Sequence, residues 1–185
     1  MARKQIILLS GPLAVGKTTV RDSLIARHSF DYIKSGRYLI ARAAELHIPV
    51  SRTSLQDLGD KFDIDTDYRW LVDDVALPAF RNNAVCQRWI VDAVRKERQV
   101  THFKSEFQSI ASLFHVHLTA PDDLLESRYK KRGADSVPYS IACAHDNEVA
   151  TRALVNVADW VCDTSKSSAD DLADNIMSAS SKRSG

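Results

Sequence analysis

Two kinds of apolar pattern alternate along the chain. Short, nearly continuous apolar runs occur at residues 5–10, 30–33, 89–92, 114–118 and 160–163, each about the length of a strand buried on both faces. Between them, apolar residues recur at spacings of three and four. Val20, Leu24 and Ile25 do so within residues 18–28, Leu71, Val72 and Val75 within 68–80, and Leu172, Ile176 and Met177 near the end. Strand-length runs separated by helix-length amphipathic segments predict a parallel sheet covered on both faces, with right-handed crossovers.

Local signals punctuate this pattern. Ser35-Gly36 supplies a turn into a helix over residues 37–46, and Pro49 closes that segment. Ser51 or Thr53 caps the next helix, with Leu55, Leu58, Phe62 and Ile64 as its apolar face. Asp57, Asp60, Lys61, Asp63, Asp65 and Asp67 fall mostly on its solvated side. The alternating Asp63, Asp65 and Asp67 lack the glycine and closing glutamate of a calcium-binding EF-hand loop. Pro78 lies near the end of the following helix, and Asn82-Asn83 marks a turn. Residues 95–113 read as helix with a break. Pro121-Asp122-Asp123 opens a helix that runs to Arg132, before a loop over residues 133–140. Residues 147–157 are helical, Ser168-Ala169-Asp170-Asp171 forms a capping box, and residues 178–185 form a frayed end. The all-helical interval over about residues 37–80 is the natural place for an inserted substrate-holding lobe.

One loop carries the chemistry. Gly11-Pro12-Leu13-Ala14-Val15-Gly16-Lys17-Thr18 fits G-x-x-x-x-G-K-[ST] and lies between the first apolar run and the first amphipathic segment. Glycines there let successive backbone N–H groups converge on phosphate oxygens, and the helix N-terminus adds partial positive charge. Gly11, Ala14, Val15, Gly16, Lys17, Thr18 and Thr19 form the expected phosphate cradle. Lys17 reaches the β- and γ-phosphates of ATP, and Thr18 offers its hydroxyl to Mg²⁺. Asp92, closing the third apolar run, has the position of a second, carboxylate contact to the metal. His115 and His117 point the same way on a strand and are expected to pack in the core.

Composition narrows the setting. The 185 residues suit one domain, and 25 basic against 24 acidic side chains give a net charge of +1, too little for a general attraction to nucleic acid or membrane. No apolar run reaches the length of a membrane span. Three separated cysteines, Cys86, Cys143 and Cys162, suit reduced thiols, and the expected location is the cytoplasm.

The loop, the strand pattern and three further stretches resemble the P-loop kinases of the nucleoside monophosphate kinase-like group, which includes adenylate kinases and dephospho-coenzyme A kinase. The resemblance implies a three-layer α/β/α P-loop NTPase fold with a five-stranded parallel sheet, a helical acceptor-binding insertion over about residues 37–80 and a short lid over about residues 128–146. Lys34-Ser35-Gly36-Arg37-Tyr38-Leu39-Ile40 stands where the family carries Ser-Thr-Gly-Asp-x-Leu-Arg, with Ile40 in place of the final arginine. Ser35, Gly36, Arg37 and Arg42 are therefore implied acceptor contacts, Arg37 or Arg42 replacing the missing charge. Asp92, Arg95 and Gln99 resemble the family's Asp-Gly-x-Pro-Arg-x-x-x-Gln. The resemblance implies Mg²⁺ and its waters at Asp92, an acceptor phosphate at Arg95 and a base at Gln99. Arg128 and Arg132 repeat the spacing of the lid arginines, and residues 158–164 resemble the last strand of dephospho-coenzyme A kinases. The implied activity is ATP- and Mg²⁺-dependent phosphorylation of a nucleotide or nucleotide-like small molecule, foremost a nucleoside or deoxynucleoside monophosphate. Dephospho-coenzyme A or another small metabolite is the alternative acceptor, and a nucleotide-dependent switch module the alternative of another class.

Overall fold

Burial selects the first strand as the spine of the sheet, because Ile6, Ile7, Leu8 and Leu9 are all fully enclosed. The computed structural model describes residues 3–133 and 137–182. Five parallel strands, β1 (Lys4–Ser10), β2 (Asp31–Ile33), β3 (Arg88–Val91), β4 (Ala111–Thr119) and β5 (Trp160–Asp163), lie in the order β2-β3-β1-β4-β5. The central strand pairs Leu8 with Val91 on one side and with His115 on the other. Strand order reverses around β1, which opens a crevice beyond its carboxyl end.

Helices cover both faces. They are α1 (Lys17–His28), α2 (Ser35–Glu45), α3 (Arg52–Asp65), α4 (Leu77–Asn82), α5 (Glu97–Phe107), α6 (Asp122–Lys131), α7 (Tyr139–Cys143), α8 (Asp146–Ala153) and α9 (Ala169–Lys182). The period-two alternation of β1 splits the core. Ile6 and Leu8 join Phe103 and Phe107 of α5 on one face, while Ile7 and Leu9 join Leu24 of α1 and Ile176 of α9 on the other. Truncating Phe103 to alanine would cost about 3–5 kcal/mol.

Several boundaries differ from the sequence reading for local reasons. Ser35 and Gly36 lie inside the first turn of α2, and β4 begins at Ala111 rather than Phe114. The expected helix over residues 68–80 is a π-helical turn, Leu71–Ala76, running into α4. Leu77 N–H bonds Val72 O, five residues back, just before Pro78, whose ring and missing N–H oppose a continuous α-helix. Ser51 caps α3 in a reciprocal box with Ser54. Ile64 is 77% exposed and Asp63 only 6%, so the expected apolar and solvated faces are exchanged at that turn. The tail expected to fray continues as α9 to Lys182, and Tyr139 already starts α7. Residues 134–136 of the expected loop and lid, and residues 183–185 of the expected frayed end, lie outside the described residues.

Candidate active site

The phosphate loop leaves β1 through Gly11, with φ 145°, where a Cβ would stand 2.6 Å from Leu118 O. Only glycine meets both demands. Ala14 at φ 65° and Gly16 at φ 101° continue the left-handed turns that point backbone N–H groups inward. Lys17, the first residue of α1, folds its ammonium back onto Gly11 O and Pro12 O. Burial and then the nearby Arg95 guanidinium push its pKa down to about 8, against opposing pulls from Glu148 and Asp92. Thr18 and Thr19 are exposed on the same helical turn.

Two side chains brace this loop from behind. Arg128 of α6 donates to Val15 O at 3.2 Å and to Thr164 at Oγ1 (2.8 Å) and O (3.0 Å), and Thr164 Oγ1 itself reaches Val15 O at 2.9 Å. Beneath the loop, Ser10 Oγ bridges His115 Nε2 at 2.8 Å and His117 Nδ1 at 2.9 Å, tying β1 to β4. Burial lowers both imidazole pKa values to about 4, so the pair is neutral near pH 7. Both histidines are core residues, as their position on the strand suggested.

Asp92 follows β3 and is fixed from two sides. Tyr32 OH donates to Oδ1 at 2.6 Å and Arg21 Nη1 to Oδ2 at 3.1 Å, while the Arg21 guanidinium lies 4.4 Å from the Tyr32 ring centre. Burial, then Asp92, pushes the Tyr32 hydroxyl up to about 12, which keeps it a donor. Magnesium is ordinarily held through one or two carboxylates, waters and substrate phosphates, and the donor set of Asp92 and the exposed Thr18 fits that habit. Each Asp92 oxygen already accepts one hydrogen bond and keeps a lone pair for a metal-bound water or the ion itself.

On the other side of the loop a cleft of about 490 Å³ opens between α3, the start of α5 and α8. Leu13, Asp60, Asp63, Arg95, Gln99 and Glu148 are among its walls. Asp63 Oδ1 accepts from Trp70 Nε1 and from Gln99 Nε2, both at 2.8 Å, and burial raises its pKa. Gln99 turns its Oε1 to the N–H groups of Arg95 (2.8 Å) and Lys96 (3.3 Å). Asp60 accepts from Asn147 Nδ2 with both oxygens, at 2.8 and 3.1 Å. Glu148 Oε2 accepts the N–H of Leu13, inside the phosphate loop, at 2.8 Å, and its Oε1 stands 3.7 Å from Arg95 Nη1.

A family profile described as an AAA domain matches residues 7–149, more than half of the chain. The chain belongs to this family. With its phosphate loop, membership makes it a P-loop kinase, an ATP-dependent phosphotransferase. No curated protein sequence matches the chain. Among solved structures, the tunicamycin resistance protein of Deinococcus radiodurans is 18% identical with a TM-score of 0.63, over 96% of this chain and 95% of that one. A sugar kinase from Janibacter is 14% identical with a TM-score of 0.59, over 95% and 93%. A gluconokinase from Sinorhizobium meliloti is 15% identical with a TM-score of 0.52, over 100% and 95%. At these identities the likeness is one of fold, and it agrees with the five-stranded α/β/α architecture.

In this P-loop kinase the expected residues fall into three groups. Lys17, Asp92 and Arg95 gather at the loop, and Lys17 also feels the charge of exposed Arg132. Ser35, Gly36, Arg95 and Gln99 line the cleft, Gln99 with its polar atoms committed to protein partners. Arg37 and Arg42 lie away from the cleft walls: Arg37 borders a separate groove with Arg21 and Lys34, and Arg42 pairs with Glu45. The sequence reading missed Arg21, Tyr32, Asp60, Asp63 and Glu148 as site residues. Arg21 had a signal, since it lies one helical turn beyond Lys17.

Proposed function

We propose that this kinase transfers the γ-phosphoryl group of ATP to a hydroxyl of a small, polyhydroxylated, sugar-like molecule held in the cleft beside Leu13. The observation that carries this reading is the charge of the wall, three carboxylates against one arginine among the described residues. A monophosphate acceptor needs the opposite balance, whereas carboxylates and side-chain amides together accept from and donate to the hydroxyls of a polyol. Trp70 beside Asp63 adds an apolar surface for a sugar ring. The names of the fold neighbours, a sugar kinase and a gluconokinase, point the same way.

In this reading Gly11 to Thr19 cradle the phosphates and Lys17 leaves the loop carbonyls for the β- and γ-phosphoryl oxygens. Thr18 and Asp92 would hold Mg²⁺, whose charge would offset that of the phosphates. Arg95 and Arg132 compensate charge on the transferred group, and Arg128 keeps the loop shaped for the nucleotide. Ser35, Gly36 and Gln99 shape the acceptor wall. Residues 37–80 serve as the acceptor lobe, and residues 128–146 as a short lid. Exclusion of water by closure favours transfer over hydrolysis.

The test is acceptor-dependent ADP formation with ATP and Mg²⁺ over neutral hexoses, alditols, amino sugars, sugar acids and nucleoside monophosphates. Hydroxyl acceptors should be phosphorylated. Activity confined to nucleoside monophosphates would overturn the reading, and hydrolysis unaffected by every acceptor would return the switch module to first place.

A further inference from the structure

The geometry points to Glu148 as the catalytic base that takes the proton from the attacking hydroxyl. This rests on the hydroxyl-acceptor reading above, because an alcohol must lose a proton during transfer whereas a phosphate monoanion or dianion presents an ionised oxygen.

Glu148 stands where the two halves of the site meet. Its Oε2 contacts the phosphate loop at Leu13 N, its Oε1 faces Arg95, and its side chain is 13% exposed in a cleft that Leu13, Arg95 and Glu148 all line. Among the described residues Oε1 accepts no hydrogen bond, and Arg95 Nη1 stands 3.7 Å from it, which leaves a lone pair for an incoming hydroxyl. The other carboxylates at the site are engaged by donors, Asp63 at Oδ1 alone and with only 6% of the residue exposed. Asp92 is held at both oxygens by Tyr32 and Arg21, Asp60 at both by Asn147, and Asp63 accepts two donors from within the wall. His115 and His117 are enclosed beneath the loop on Ser10. In the transfer step the acceptor O–H bond breaks as its oxygen bonds the γ-phosphorus. The bond from that phosphorus to the β–γ bridging oxygen breaks, its electron pair leaving with ADP. The proton passes to Glu148 Oε1 and then to water in the open cleft.

The test compares wild type, Glu148→Gln and Glu148→Ala. Glutamine keeps an acceptor for Leu13 N–H and removes the base, and binding of a fluorescent ADP analogue reports on the loop. Both variants should form ADP at least about 100-fold more slowly with a hydroxyl acceptor, at nucleotide affinity within about threefold of wild type. Added formate should restore part of the rate to Glu148→Ala alone. Glu148→Gln retaining more than a tenth of the rate overturns the proposal, as does a loss of nucleotide binding that matches the loss of rate without formate rescue. If wild type uses a polyol and Glu148→Gln uses it equally well, only this proposal fails. If wild type uses only monophosphates, the hydroxyl-acceptor reading fails instead. Where no acceptor in the panel is used, ATP hydrolysis is the readout, since water at the acceptor position would give its proton to the same carboxylate, and equal hydrolysis by wild type and Glu148→Gln overturns the assignment.

Discussion

Moving the pH across the titration of Lys17 should weaken ATP binding in a way set by its place in the empty loop. Its pKa of about 8 in the ligand-free protein means that about nine-tenths of molecules carry the charge at pH 7 and about one-tenth at pH 9. A bound triphosphate replaces carbonyl oxygens with anionic ones and holds the proton, so binding above pH 8 must include proton uptake. Affinity should fall about tenfold between pH 7 and 9, with close to one proton taken up at the upper end. Calorimetry in buffers of different ionisation enthalpy measures both quantities, and Lys17→Met should bind weakly with little of this dependence. The same group affects stability with the opposite slope. Its folded pKa lies below the unfolded 10.5, so above pH 8 the native state releases a proton that the unfolded chain still holds. The ligand-free fold should gain up to about 3 kcal/mol from this group between pH 8 and 10.5, and saturating nucleotide should remove that gain. ATP affinity that stays level from pH 7 to 9 would refute the reasoning.

Four substitutions test the scaffold around the loop. Gly11→Ala, which meets Leu118 O at 2.6 Å, should cost at least about 3 kcal/mol in urea denaturation, whereas Gly16→Ala, with no neighbour within 4 Å, should cost about 1–2 kcal/mol; equal costs would contradict the close-approach argument. Asp63→Ala strands the buried donors of Trp70 and Gln99, and should lower stability by about 2–5 kcal/mol while shifting tryptophan fluorescence. Arg128→Ala removes the guanidinium shared by Val15 O and Thr164, and should raise KM for ATP several-fold at a stability cost of about 1.5–3 kcal/mol; an unchanged KM would separate this brace from nucleotide binding.

The donor half was legible because its signals are local. The phosphate loop is one contiguous motif, and all five strands announced themselves as apolar runs. The acceptor half depends on partners far apart in sequence. Periodicity placed Asp63 among solvated acids, since nothing within α3 reveals that Trp70 and Gln99 hold donors for it. Glu148 showed no motif, and its contact with Leu13 spans 135 positions. Arg128 was readable as a basic helix end, but its direction, inward to Val15 O, follows from where β5 leaves Thr164. Pro78 did mark an anomaly in residues 68–80; an expectation of α-helix there overlooked the wider π turn that precedes it.

The order β2-β3-β1-β4-β5 has a consequence for how such an enzyme diversifies. Lys17 and Asp92 sit just beyond β1 and β3, where every nearby change disturbs the enclosed sheet. Most of the acceptor wall comes instead from α2, α3, α7 and α8, segments of the crossover connections that carry no strand pairing. Substitutions at Asp60 or Asn147 can therefore exchange one acceptor for another while the ATP-binding half is inherited intact. The wall has one point of attachment that resists such drift, the chain from Asp63 through Gln99 to the Arg95 backbone, and a library that spares those three positions should yield more folded variants than one that includes them.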